Sequence, residues 1–391
     1  MTPMMARPAL PRLPEPWTFW ADTIVTRQPL GPVSPTAFSY SRKLSDFGDG
    51  AVTLPFSSAL PAGRMLGLWS WRLWALYGGK PVWCGVPTGI ADEGKVTASL
   101  TLTEITGYLA KRQWDVSPSQ RFDQVEQTAI AQVIAAPVAD VGVTIITNPG
   151  PGFSRDRTYE YLEGESRAEL LTNLSNVISG PEFRTEYGTG PAGFPEAILR
   201  IAYPRAGQSG TGLGVTVPGR AVGYSGRWDA DKMRTRTFAV GDLPEDAPEG
   251  ALRPVAVKDA PQAGLPRLDE VDTWSGTILL STLTERAATA AVQYAAPALA
   301  LTVNAPETAP PLDAYGPGDD VTVRIMSPML SGGLDVTGRL TQVDVNAGDA
   351  SVAWTMALTL PPPQPRESLT RRLGRIDALA SALARRRSAP I

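Results

Sequence analysis

Apolar and polar positions alternate with a period of two over most of the chain, and a few stretches change to a period near 3.6. Segments at 19–26, 37–41, 51–54, 65–76, 81–90 and 95–104 are short and rich in Val, Ile, Thr and aromatic residues, with Gly and Pro between them. This pattern predicts strands. Asp49-Gly50 and Gly78-Gly79 are predicted hairpin turns, because those residues accept the positive φ that tight turns require. Strands at such spacing predict a small barrel or split sandwich over 17–115.

Beyond this point helical spacing enters. Phe122, Val125, Ala129 and Val133 predict a helix over 121–136, stopped by Pro137, with a strand following at 141–147. Ser166 and Glu169 stand at capping-box spacing ahead of an apolar stripe of Leu170, Leu171, Leu174, Val177 and Ile178, and Gly180-Pro181 closes that helix. Strands expected at 182–187, 197–203, 214–217 and 221–228 make 116–240 an α+β middle region. Residues 241–269, dense in Pro, Ala and Asp, predict a connecting arm. Thr282 and Glu285 repeat the capping-box spacing and predict a third helix ending at Pro297. Strands at 299–304, 320–326, 334–346 and 351–360 then predict a second β unit over 270–362, its last two strands a hairpin turning at Ala347-Gly348-Asp349. A Pro-rich arm occupies 1–16. In 363–391, Leu369, Leu373, Ile376, Ala380 and Leu383 recur every three or four residues among arginines, which predicts a basic amphipathic helix. The expected class is mainly β with an α+β middle: two small barrel-like β units, helical insertions and the C-terminal helix.

Composition narrows the function. The chain has 391 residues, 43% apolar and 19% charged, which suits two or three globular domains. It contains no His and one Cys, Cys84. That excludes Ser-His-Asp and Cys-His catalysis, zinc sites built on those ligands, and any intramolecular disulfide. A net charge of −3 argues against binding nucleic acid by phosphate neutralisation. No apolar run is long enough to span a membrane, and the N-terminal stretch lacks the apolar core of a signal peptide, so neither is expected.

Several groups of residues invite a chemical reading. Residues 207–214 are Gly-rich, but a P-loop needs Lys and Ser or Thr after the last Gly, and Val215-Thr216 follow instead. A loop is the expectation. Trp69, Trp71, Trp74 and Trp83 form an aromatic cluster that could bind sugars. Strand alternation would put Trp69 and Trp71 on one face and Trp74 on the other, so core or subunit interface is favoured over a platform. The acidic pairs Glu163/Glu165, Asp229/Asp231 and Asp319/Asp320 could in principle serve a hydrolase or a metal, but turns explain them. Cys84 reads as a small buried apolar residue. Leu369, Leu373, Ile376 and Leu383 need a partner for their stripe, either their own chain, a second copy or an acidic neighbour. No residue is assigned to catalysis, a cofactor or a metal, and an enzyme is not expected.

The order of the pieces resembles a known family. Residues 48–58 (GDGAVTLPFSS), 72–90 (RLWALYGGKPVWCGVPTGI) and 100–112 (LTLTEITGYLAKR) are similar to the N-terminal domain of the tail-hub proteins of long-tailed phages, also called baseplate-hub or tail-associated proteins. Residues 159–187 (YEYLEGESRAELLTNLSNVISGPEFRTEY) resemble the hub segment of minor tail proteins from phages of actinobacteria. Residues 315–325 (YGPGDDVTVRI) and 338–358 (GRLTQVDVNAGDASVAWTMAL) resemble the family's second barrel. The resemblance implies a structural virion protein, a homotrimer at the distal end of the tail that adapts a hexameric tube to the tip. Implied partners are the distal tail protein ring, the tape-measure protein and tip fibres or spikes, with DNA only as passing cargo. Assembly would take place in the host cytoplasm. The alternatives are a carbohydrate-binding tail protein using the Trp69–Trp83 cluster and a carboxylate-based tail-tip hydrolase.

Overall fold

The turn at Gly78-Gly79 lies within the largest sheet. Both glycines have positive φ, 57° and 79°, and they join strands Trp71–Tyr77 and Lys80–Asp92, with Tyr77 paired to Lys80. The computed structural model in which this is seen describes residues 13 and 16–359, except 57–64, 93–95, 118, 151–153, 163, 178, 192, 218–222, 244–247, 249, 263, 275–278, 296–297, 307–310, 327–333 and 349–350. The arm expected at 1–16, apart from residues 13 and 16, lies outside the described residues. So does the helix expected at 363–391, with Leu369, Leu373, Ile376 and Leu383. The chain forms two compact units, 1–225 with 301–357 and 226–300 with 358–391.

In the larger unit the main sheet runs in the order Ala298–Pro306, Ser351–Thr359, Leu334–Asn346, Ala37–Lys43, Asp49–Pro55, Thr97–Glu104, Lys80–Asp92, Trp71–Tyr77, Trp17–Thr23 and Pro29–Val33. The order corrects two expectations. Strand Leu334–Asn346 pairs with Ala37–Lys43, from Gln342 opposite Lys43 to Asn346 opposite Ser39, so the two β units expected at 17–115 and 270–362 share one sheet. Nor does the sheet close into a barrel. Local pattern marks strands but carries no information on which distant strands pair.

Three local expectations also change. Asp49 and Gly50 lie within a strand, and the turn before them passes through Ser45, with φ of 54°, and Gly48, where a Cβ would sit 2.0 Å from the Ser41 carbonyl oxygen. The alternation pattern does not mark strand Pro29–Val33. Its prolines cannot donate to a ladder, which suits the sheet edge it occupies. Residues 120–126 form a strand paired with Ser154–Tyr159, and helix α1 begins only at Gln127 and ends at Ala135. The strand bends at Gln124, with φ of 51°, whose N–H donates to Asp156 at 2.9 Å. This bend lets Phe122 and Val125 mimic helical spacing. The true buried face of α1 is Ile130, Ala131, Ile134 and Ala135, while Val133 is exposed, and Pro137 begins a 3-10 turn.

Helix α2, Arg167–Ser175, starts as expected but ends earlier: Val177 lies beyond it, half-buried, and Ile178 falls outside the described residues. Ser166 caps it with a complete capping box, and Leu170, Leu171 and Leu174 are buried. With α1 and the sheet Glu182–Thr189, Pro195–Ala202 and Val143–Asn148, it covers one face of the main sheet. That core holds Trp74, Cys84, Val86, Ile105, Trp114, Ile134, Leu171 and Leu199. On the main sheet a second aromatic cluster joins Trp17, Phe19, Phe38, Tyr40 and Trp83, with neighbouring ring centroids 4.9–6.4 Å apart. Gly50 and Gly85 admit the Trp83 indole: a Cβ on either would lie 2.6 or 2.0 Å from its ring.

The smaller unit overturns the expected arm at 241–269. Strands Arg236–Val240, Val255–Asp259 and Asp269–Thr273 form a three-stranded sheet with Arg236–Val240 in the middle. Helix α3, Leu280–Gln293, buries Leu283 and Ala287 against Ala239 and Ala256. Its N-cap is Leu279, without a side-chain cap, and Thr282 lies inside the first turn, so the expected capping box is absent. Strand Asp269–Thr273 (DEVDT) is nearly all polar, and only its pairing partner makes it a strand.

Candidate functional site

One edge of strand Leu334–Asn346 is used twice, and ionic side chains gather at the break. Residues 334–339 pair with Asp320–Ile325, and 342–346 pair with Ala37–Lys43. Between them the loop 316–319 closes on the strand, with Gly318 N–H donating to Leu340 O at 2.7 Å and Leu340 N–H to Asp319 O at 3.0 Å. Leu44 N–H donates to Thr341 O at 2.9 Å.

Ionic side chains lock this junction. Arg184, 9% exposed at its side chain, donates to Asp319 at 2.7 Å, to the Pro317 carbonyl at 2.9 Å and to Glu186 at 2.8 Å. Glu186 also receives a bidentate pair from Arg200, both contacts at 2.8 Å. Burial works against the Glu186 charge, yet the bonds from Arg200 and Arg184 prevail and hold its pKa below the ordinary Glu value. Arg205 pairs with Asp320 at 2.7 Å and holds that carboxyl down too, while also donating to Gly318 O at 2.8 Å. Arg339 pairs with Glu182. Below them Glu104, 1% exposed, accepts from Tyr187 O–H at 2.7 Å and Gly48 N–H at 3.0 Å. Burial raises the pKa of Glu104 and pushes that of Tyr187 well up.

The Gly-rich stretch 207–214 belongs to this junction and not to a ligand. A Cβ on Gly207 would lie 2.0 Å from the Gly318 carbonyl carbon, so two backbones touch where side chains have no room. Gln208 N–H donates to Asp319 at 2.8 Å, and Thr211 Oγ1 donates to Asp320 O. From Gly214 the chain continues as a strand parallel to Asp320–Ile325. Asp319 and Asp320, weighed as a reactive pair, thus each face their own Arg. Glu165 accepts from Asn173 at 3.3 Å, and Glu163 and the Asp229 side chain lie outside the described residues. Among the described residues no three His, Cys, Asp or Glu side chains gather closely enough to hold a metal ion.

The tryptophans are placed differently from the expectation. Trp71 and Trp74 are each 1% exposed and Trp83 is fully buried, so all three fill the chain's own interior. Trp69 precedes the strand with φ of 62° and is half-buried against Tyr108, ring centroids 6.3 Å apart. Strand alternation therefore does not extend to it. These four residues form no exposed coplanar platform. Cys84 is buried, as its apolar reading required, and burial pushes its thiol pKa up.

Two cavities border these elements. One of about 220 Å³ is lined by Arg42, Arg184, Tyr187, Tyr315, Gly316 and Asp319, among others. Another, of about 410 Å³, is lined by Trp20, Asp22, Arg27, Arg72, Phe194 and Glu196, among others. In its wall Arg72 makes a bidentate pair with Asp22 at 2.7 and 3.0 Å and also donates to the Val141 carbonyl at 3.0 Å.

The sequence marked Asp319 and Asp320 but missed their partners, Arg184 and Arg205, and it missed Arg42, Glu104 and Glu186. Arg184, on its strand, and Arg205, just beyond one, look like solvent-facing residues until the loop that covers them is known.

No protein-family model matches the chain, and no curated protein matches it. Solved structures do match. The 43 kDa tail protein of prophage MuSo2 from Shewanella oneidensis aligns with TM-score 0.60 at 13% identity, covering 87% of this chain and 98% of that one. The chain has the fold of phage tail proteins. A tail protein from Neisseria meningitidis MC58 aligns with TM-score 0.57 at 13% identity, over 87% of this chain and 96% of its own. Prophage tail protein gp18 from Listeria monocytogenes EGD-e aligns with TM-score 0.52 at 9% identity, over 93% and 99%. The tail-protein fold is thus shared over nearly the full length of all three. No helix among the described residues is long and apolar enough to cross a membrane.

Proposed function

We propose that the chain is a structural virion protein, and that three copies form the hub at the distal end of a phage tail. In this reading the hub joins the distal tail protein ring to the tip fibres or spikes and surrounds the channel of the tape-measure protein and, later, DNA. The observation that carries it is the tail-protein fold matched over 87% of this chain and 98% of the Shewanella chain. The ionic junction supports it: charges that an enzyme would direct at a substrate are directed here at other segments of the same chain. The buried tryptophans remove the feature on which the sugar-binding alternative rested.

Mass photometry and negative-stain electron microscopy of the purified full chain test the proposal. The expected result is a particle of three times the 41.6 kDa protomer mass, seen as threefold rings with an axial hole. A protomer-sized particle at every concentration up to the solubility limit, with or without the neighbouring ring protein, overturns the trimeric hub.

A further inference from the structure

Arg42 is a charge at the junction that, among the described residues, makes no ion pair. It is 9% exposed, yet among the described residues no carboxylate pairs with it. Its terminal nitrogens reach only the carbonyls of Tyr315 and Thr185, both at a long 3.4 Å, and its Nε has no partner. A guanidinium has five N–H donors, so most of its capacity is unused. The Tyr187 ring, 5.7 Å away, offers only a weak electrostatic contact. Glu104 lies within range of its charge, but its oxygens are engaged by Tyr187, Gly48 and Thr185. Buried cations are normally paired, and an uncompensated one is costly.

The cavity of about 220 Å³ opens beside this guanidinium. Its carboxylates are already neutralised: Asp319 by Arg184, Glu186 by Arg184 and Arg200, and Asp313 by Lys80. Gly316 leaves the fork uncovered, since a Cβ there would lie 2.8 Å from Arg42 Nη2. We propose that this cavity is an anion site in which Arg42 binds a carboxylate or similar small oxyanion, supplied either free in solution or as an acidic side chain of a second protein subunit. The site stands whether or not the chain forms a hub.

Thermal unfolding of the full chain, titrated with sodium acetate and with inorganic phosphate at ionic strength fixed by sodium chloride, tests it. The expected result is a saturable rise in Tm that Arg42→Gln abolishes. Because Arg42→Gln removes a buried side chain and could fail to fold, Asp313→Asn is the second variant. It removes a negative charge from the cavity wall at a half-exposed ion pair, and it should tighten acetate binding by roughly threefold. Absence of a saturable rise in the wild-type chain, or an equal rise in Arg42→Gln, overturns the site. Competition separates the two sources: acetate that lowers self-association identifies a side chain of another copy, and acetate that binds without changing the particle mass identifies a free anion.

Discussion

Glu104 is a buried carboxyl that accepts hydrogen bonds from Tyr187 O–H and Gly48 N–H, and its titration runs opposite to that of the surface acids. Its folded pKa is raised by burial, so the folded chain holds this proton more tightly than the unfolded chain does. The stability this provides is complete below the ordinary Glu value of 4.5 and is lost as pH rises through the raised value. Glu104→Gln keeps an acceptor for Gly48 N–H and offers its amide to the Tyr187 oxygen. The variant's Tm relative to wild type should therefore climb as pH is taken from 4.5 to 7, measured by circular dichroism. A pH-independent difference would show that the carboxyl stays charged throughout. Gly85 makes a second argument at this scale. A Cβ there would lie 2.0 Å from the Trp83 ring, so Gly85→Ala must displace an indole that is wholly buried. The expected cost is about 1–3 kcal/mol, read as a lower urea midpoint with unchanged m-value.

Among the elements, the decisive one is strand Leu334–Asn346, whose two half-edges take partners from opposite ends of the chain. The gap left between them is filled by the loop 316–319, and Arg184 ties that loop to the strand Glu182–Thr189. Removing Arg184 leaves Asp319 buried without its cation. Arg184→Met should thus cost about 3–5 kcal/mol, whereas adding Asp319→Leu should restore part of the loss, giving a non-additive cycle in urea denaturation. Additive losses would mean that the pair contributes nothing beyond its separate contacts. The two capping boxes read from sequence part company at this scale. Ser166 and Glu169 close theirs around the start of α2, while Thr282 falls inside α3 because that helix begins earlier, at Leu280.

For the whole molecule, the ion pairs predict how the fold responds to acid. The folded pKa values of Glu186 and Asp320 are depressed below 4.5 and 3.8, so their stabilisation is present above those ordinary values and is lost as pH falls through the folded ones. The Asp320–Arg205 pair is partly exposed, so solvent screening discounts its share. Cooperative loss of near-ultraviolet circular dichroism is therefore expected below about pH 4, earlier in Arg200→Gln, which removes the bidentate partner of Glu186. An unshifted acid midpoint in that variant would show that the Arg200–Glu186 pair does not set the acid limit.

Read by itself, the sequence determined the mainly β class, the Gly78-Gly79 turn, the cap and apolar stripe of α2, and the final hairpin strands. Each of these depends on residues close together in the chain: a pair of glycines that accept positive φ, a Ser three residues before a Glu, an alternation of period two. The absence of His, likewise, removed whole classes of catalysis by composition alone. Tertiary structure alone decided that the two ends share one sheet, that strands 236–240, 255–259 and 269–273 form a sheet of their own, that Trp71, Trp74 and Trp83 face inward, and that Arg184 and Arg205 neutralise Asp319 and Asp320. These outcomes depend on pairing between strands far apart in sequence. An Arg on a strand has the same local pattern whether water or a loop from the other end of the chain covers it, and burial then determines what its charge can do.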